Sequence, residues 1–199
     1  MDPLSIFKAA TQTLIDHVEE LTTLDQAIGD GDHGLNMRRG ALAIQARFSD
    51  MQGKTLNEAM KMAGLTCMST IGGSSGPVFG TLLVTLAKEL PAEPNAQDLS
   101  NALAAGIAAL TRLGKAEVGQ KTLLDVLDPV RQLLAKAGEG SSSEIAARVR
   151  EGAFAAADAT ANMQAIKGRS SFLGDRALGH VDPGSRSTAL IVAAICDSI

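Results

Sequence analysis

The chain has no tryptophan and no tyrosine, and only five phenylalanines in 199 residues. A ring-shaped ligand must therefore lie against aliphatic or methionine side chains, with phenylalanine the sole aromatic candidate. The sequence is also poor in the β-branched and aromatic runs that mark strands; alanine, leucine, methionine and glycine dominate instead, which is the composition of close-packed helices. Cysteine is scarce. Cys67 and Cys196 are the two thiols, each in an apolar helical setting, so they read as buried and reduced rather than as a disulfide framework, which suits the cytoplasm. No block of Lys and Arg exists and the net charge is −4, so neither nucleic acid nor a membrane surface is an expected partner. Apolar residues make up 45%, yet their uninterrupted runs are too short to span a bilayer. The N-terminal MDPLSIFK lacks a basic segment followed by an apolar one, so no secretory signal is expected. The GxxxxGK[ST] loop is absent, which excludes a Walker A phosphate site.

What is present centres on LDQAIGDGDHGLNM, residues 24–37. Asp25, Asp30 and Asp32 are spaced by five and two, and His33 and Asn36 follow. Neither spacing is a helical three or four, so one regular helix cannot align these side chains. A tight loop can, with Gly29 and Gly31 supplying the backbone freedom. Converging carboxylates repel unless a cation sits between them, and oxygen-only ligands favour Mg²⁺ or Ca²⁺. The EF-hand pattern of alternate acids and a twelfth-position glutamate is not met. Mg²⁺ is usually held by a few carboxylates and substrate phosphates, which points to a nucleotide. A polar turn of Asp and Gly is the alternative.

The length suits one domain with a substantial core. Apolar periodicity predicts eight amphipathic helices, near residues 3–24, 34–48, 55–68, 78–90 and 98–113, a sixth entered from the loop at 114–125, a seventh ending near 163, and an eighth over 185–197. Asp128-Pro129 is expected to kink or restart the sixth. Thr55 with Glu58, and Ser141 with Glu144, have the spacing of capping boxes. The Gly-rich, polar connections are those after helices one, three, five and seven. The third carries Ile71-Gly72-Gly73-Ser74-Ser75-Gly76-Pro77, a phosphate loop or a plain connector. The fifth carries Lys115 and Lys121, which either meet phosphate or are solvated. The seventh, residues 166–184, holds four glycines, Arg169, Arg176, His180 and Asp182. In an up-and-down bundle, alternate loops share one end. Connectivity alone thus collects Asp25, Asp30, Asp32, Ser74, Ser75, Lys115, Thr122, Arg169 and Asp182 at one rim, where a metal–phosphate site is expected.

LDQAIGDGDHGLNM, IGGSSGPVFG, GKAEVGQKTLLD and GRSSFLGDRALGHVDPG, in this order, resemble the nucleotide-binding L subunit of dihydroxyacetone kinase and the homologous C-terminal domain of the ATP-dependent enzyme. The resemblance covers essentially the whole chain as a single domain. It implies an all-α barrel of eight antiparallel helices with the nucleotide and metal at one end. It implies that Asp25, Asp30 and Asp32 hold two Mg²⁺ ions bridging the phosphates of ADP or ATP, and that His33, Gly34, Leu35, Asn36, Ser74 and Ser75 meet the nucleotide. Gly114, Thr122 and Leu123 would line the rest of the pocket; Arg169, Asp182, Pro183 and Gly184 would complete it, with Arg169 adding charge stabilisation. Gln120 departs from the family's Asp, and Leu123 from its usual Met. The triose would sit on a separate K subunit, and an M subunit of the phosphotransferase system would rephosphorylate bound ADP. Alternatives are an ATP-dependent triose or tetrulose kinase domain and a nucleotide-loaded module signalling to a transcriptional regulator; a homodimer is left open.

Overall fold

In a computed structural model, which describes residues 3–138 and 140–199, the described residues form ten α-helices and two 3₁₀ segments, with no strand. The helices are α1 (Pro3–Asp16), α2 (Val18–Ile28), α3 (His33–Gln45), α4 (Phe48–Met51), α5 (Leu56–Thr70), α6 (Ser75–Glu89), α7 (Ala96–Gly114), α8 (Leu124–Ala135), α9 (Ser142–Ala159) and α10 (Pro183–Cys196). All eight expected helices are present, and the class is all-α as expected. The first expected helix is divided, and the one-turn α4 was not foreseen. His17 marks the division. Its ring Nδ1 lies 2.8 Å from the Thr13 carbonyl, and its own backbone N–H donates to that carbonyl at 3.2 Å. The side chain competes with the helix ladder for one acceptor and interrupts it.

Beyond the break the helix runs four residues further than expected, to Ile28, because Leu21 and Ile28 both bury completely or nearly so. Asp25 is therefore on the last turn of a helix, not in the loop. Pro129 lies inside α8, which continues past it without restarting. A proline near a helix start removes one N–H, and the helix spans the gap with its later bonds. The irregular stretch after α9 contains 3₁₀ segments over Thr160–Asn162 and Arg169–Ala177, the latter bent at Gly174. Both expected capping boxes form, and Asn95 with Asp98 adds a third at the start of α7.

The helices pack in a closed circuit. α3 lies on α5, α5 on α6, and so on through α10, which returns to α1; α1 and α2 in turn rest on α3. Small side chains permit these close approaches: Ala59, Ala63, Ala153, Ala157 and Ala189 are fully buried. One large cluster joins α1, α2, α3, α5, α6, α7 and α10 around Leu21, Met37, Phe79 and Leu190, and a second fills the space between α8, α9 and α10. Cys67 and Cys196 are both free thiols, and burial pushes the Cys67 thiol up to about 11. Among the described residues no helix is long and apolar enough to cross a membrane. Consecutive packing around a circuit returns every second connection to the same end, and that end carries the polar loops.

Candidate functional site

Asp25 comes from the last turn of α2, Asp30 from the α2–α3 turn, and Asp32 from the N-cap position of α3. One carboxylate oxygen from each lies within 4.8 Å of the others. Asp25 is buried and accepts the backbone N–H of His33 at 3.1 Å, which fixes the carboxylate against α3. Gly29 makes room for it: a Cβ there would meet the Asp25 Oδ1 at 2.1 Å. Asp30 and Asp32 are half-exposed, and both pair with the Arg169 guanidinium, Asp32 at 3.4 Å. The donor set is carboxylate only, on a cradle kept open by a missing side chain. It fits a hard cation such as Mg²⁺.

His33 ties three helices together. Its Nε2 lies 3.0 Å from the Ser187 hydroxyl on α10, and its Nδ1 lies 3.4 Å from the Ser75 hydroxyl at the start of α6. Ser187 Oγ donates its own hydrogen to the Gly184 carbonyl at 3.0 Å, so it accepts from His33 and the ring proton sits on Nε2. Burial lowers the imidazole pKa, against the opposing pulls of Asp25 and the Pro183 carbonyl, so the ring is neutral near pH 7.

The loop between α7 and α8 is built on Asp125. Its carboxylate accepts the Gly119 N–H and, at 2.7 Å, the Thr122 N–H, while the side chain itself is buried. Gln120 bonds within the same loop at the surface, its Oε1 accepting the Glu117 N–H at 3.1 Å. Removing both acceptors leaves two backbone donors stranded. Asp125→Ala is therefore expected to lower unfolding free energy by about 2–4 kcal/mol, read by urea denaturation, with Asp125→Asn intermediate. A loss under about 0.5 kcal/mol would mean that water replaces the carboxylate.

At the far end of the chain Asp182 caps α10, accepting the Ser185 N–H at 2.7 Å. Burial pushes its carboxyl up to about 6, against the pull of that hydrogen bond and of Lys121.

A cavity of about 310 Å³ opens between these loops. Of the residues singled out from sequence, Asp25, Asp32, His33, Asn36, Ser74, Ser75, Gly114, Thr122, Leu123, Arg169, Asp182, Pro183 and Gly184 line it. Asp30 stands at its edge through the Arg169 pair. Gly34 and Leu35 do not line it. Gly34 faces α2, and the Leu35 side chain is 52% exposed. Both lie in the first turn of α3, where backbone amides have no intrahelical acceptor and remain free for an anion. Its lining combines the charged side chains of Asp25, Asp32, Arg169 and Asp182 with the apolar side chains of Val78, Phe79, Leu110 and Leu123.

Lys121, read from sequence as meeting phosphate or solvated, is instead buried with its ammonium on two backbone carbonyls. Asp125 and Ser185 have no role legible in the sequence, where each is only a polar residue beside an apolar pattern. Lys115 caps the end of α7 in a left-handed conformation and is exposed outside the cavity, while the ring of His180 also faces out.

The DAK2 domain profile matches residues 27–197. The chain is 39% identical over 176 residues to the ADP-binding subunit of PEP-dependent dihydroxyacetone kinase 1 of Listeria innocua, across 88% of this chain and 84% of that one. It is 38% identical over 181 residues to the ADP-binding subunit of the PEP-dependent dihydroxyacetone kinase of Escherichia coli, across 87% and 85%. It is 33% identical over 199 residues to the L-erythrulose 1-kinase of Mycolicibacterium smegmatis, across 96% of this chain and 34% of that one. The structure superposes on the dihydroxyacetone kinase of C. freundii in complex with AMP-PNP and Mg²⁺ with a TM-score of 0.78 at 26% identity, covering 98% of this chain and 33% of that one. The chain thus spans about a third of that kinase.

Proposed function

Because the chain belongs to the DAK2 domain family, we propose that it is the nucleotide-binding subunit of a cytoplasmic dihydroxyacetone kinase, a phosphotransferase. The observation that carries this reading is the convergence of three carboxylates at a cavity lined by both charged and apolar side chains. Asp25, Asp30 and Asp32 would hold two Mg²⁺ ions. When bound, these ions neutralise phosphate oxygens as negative charge moves from donor to acceptor.

The chain's own residues bind and orient. The free amides of Gly34 and Leu35, at the positive end of the α3 dipole, would donate to a phosphate. Ser74 and Ser75 add hydroxyls, with Ser75 held by His33. Asn36 is buried at the cavity wall and offers its amide. Arg169 already lies against Asp30 and Asp32, so its guanidinium is at hand for the transferring group. The apolar wall of Val78, Leu110 and Leu123 takes the base, with Gly114 leaving the entrance open. Phosphoryl transfer needs in-line positioning and charge balance more than covalent help, and this inventory supplies both.

The acceptor, dihydroxyacetone, would be held on a separate K subunit, and the bound ADP would be rephosphorylated in place by an M subunit of the phosphotransferase system. The PEP-dependent relatives support this arrangement. So does the apolar surface beside Arg169, where Phe172 is 87% exposed and Ile166 is 52% exposed. A second reading, an ATP-exchanging kinase domain for a tetrulose, draws on the similarity to L-erythrulose 1-kinase.

The test is mass spectrometry and metal analysis of what the purified chain releases on denaturation. Without tryptophan or tyrosine the protein absorbs little at 280 nm, so bound adenine is plain at 260 nm. Stoichiometric ADP with Mg²⁺ supports the PEP-type subunit. Reversible ATP binding with nothing retained supports the second reading. Failure to bind either nucleotide defeats both.

A further inference from the structure

Lys121 lines the nucleotide cavity, yet its ammonium does not face it as a free cation. The side chain is 1% exposed. Its Nζ donates to the Thr160 carbonyl at 2.7 Å and to the His180 carbonyl at 2.6 Å. An ammonium has three hydrogens. Burial disfavours the charged form of the amine, and the nearby Asp182 carboxylate opposes this by attracting the ammonium. Lys121 also has φ 61°, in the left-handed region that non-glycine residues seldom occupy. Such a conformation persists only when tertiary contacts hold it.

Those contacts tie Lys121 to residues 39 and 59 positions further along the chain, closing long loops at an entropic cost. Three further bonds join the same neighbourhood. Ser185 Oγ donates to the Thr122 carbonyl at 2.8 Å, the Asp182 N–H donates to Thr160 Oγ1 at 3.0 Å, and the Ile166 N–H approaches the Gln120 carbonyl at 3.4 Å. The α7–α8 loop carries Gly114, Thr122 and Leu123, and the turn at the start of α10 carries Asp182, Pro183 and Gly184. They form two walls of one cavity. Pulling them apart would strand a buried ammonium and two carbonyls, which is far more unfavourable than losing surface contacts.

We propose that Lys121 is a positioning residue that clamps these two walls together and so sets how long a nucleotide stays bound. This rests on the proposed nucleotide site and deepens it. Lys121 touches neither phosphate nor metal; it acts through the loops. The clamp predicts a specific kinetic asymmetry. Loosening the walls speeds release, because release requires them to part. It leaves Mg²⁺ binding at Asp25, Asp30 and Asp32 unchanged, because these acids stand on α2 and the turn before α3.

The experiment is stopped-flow release of mant-ADP, chased with excess ADP in saturating Mg²⁺, for wild type, Lys121→Met, Ser185→Ala and the double variant, at a temperature well below each melting point. Expected is release on the order of tenfold or more faster for Lys121→Met and severalfold faster for Ser185→Ala, with association rates near wild type. The double variant should release more slowly than the product of the two single effects, since both bonds close the same gap. If Lys121→Met does not fold, Ser185→Ala decides by the same measure. Wild type that holds mant-ADP while the folded variants release it at the wild-type rate overturns the clamp alone. Equal losses in association and in Mg²⁺ affinity also overturn it, since they mark a general structural defect. Wild type that holds no mant-ADP overturns the nucleotide-site reading and the clamp with it.

Discussion

Asp30→Ala is expected to weaken Mg²⁺–ADP binding severely while leaving the fold intact. Asp30 is the clean position for this test. Its side chain is 48% exposed, and its partner is the half-exposed Arg169. Surface ion pairs of this kind contribute little to stability, so the melting point should hold within a degree or two. The carboxylate itself is one of the three whose oxygens converge. Removing it deletes a charged ligand and frees Arg169 to pair with Asp32 alone, which leaves the cluster with a net charge less favourable to a divalent ion. A fall in Mg²⁺–ADP affinity on the order of a hundredfold or more is expected by calorimetry, and omission of Mg²⁺ from wild type should reproduce it. Asp25→Ala would be harder to read, because Asp25 is buried and also anchors the His33 amide. Asp30→Ala binding Mg²⁺–ADP within a few-fold of wild type would remove the acidic cluster from the site.

The two exposed acids and the order of the helices were legible because each depends on local chemistry. Glycine next to aspartate ends a helix, and apolar residues at threes and fours build one. The gathering of loops at one end followed from connectivity, which sequence order carries directly. Asp25 was misplaced for a physical reason. The first breaker after it is Gly29, and the polar run of Asp25 and Gln26 looked like loop, whereas burial of Ile28 draws the helix on. The break at His17 was invisible because it arises from a ring nitrogen bonding its own helix. Lys121 was misjudged most. A lysine among polar residues reads as solvated, and no pattern along the chain signals that two carbonyls from distant segments will close over it. Asp125 was hidden likewise: it begins a helix, but its role is to hold the amides of the loop before it. Residues that touch ligands declare themselves by type and spacing. Residues that hold those residues in place do so through long-range contacts, and a single sequence records these only faintly.

Gly34→Ala tests how the triad is assembled. In an isolated helix this change would stabilise, since alanine exceeds glycine in helix propensity by about 1 kcal/mol. Here the sign reverses. A Cβ at Gly34 would stand 2.3 Å from the Val18 carbonyl oxygen, 2.3 Å from Thr22 Oγ1 and 2.8 Å from the Thr22 N. The Thr22 hydroxyl is buried without a hydrogen-bond partner and can turn aside, but backbone atoms cannot. α3 must therefore retreat from α2. Overpacking of this kind costs about 1–3 kcal/mol and more where backbone is struck, which outweighs the propensity gain. A net loss of about 2 kcal/mol lowers the melting point by roughly 4–8 °C in a domain of this size. The same retreat stretches the bond from the His33 amide to Asp25, one residue away, and carries Asp32 from Asp25, because one stands on α3 and the other on α2. Mg²⁺–ADP affinity should fall together with stability, measured well below the melting point, although no ligand side chain has changed. A melting point raised by Gly34→Ala would mean that helix propensity prevails and that the close approach of α2 and α3 relaxes freely. A lowered melting point with unchanged affinity would mean that the spacing of the two helices does not set the spacing of the acids.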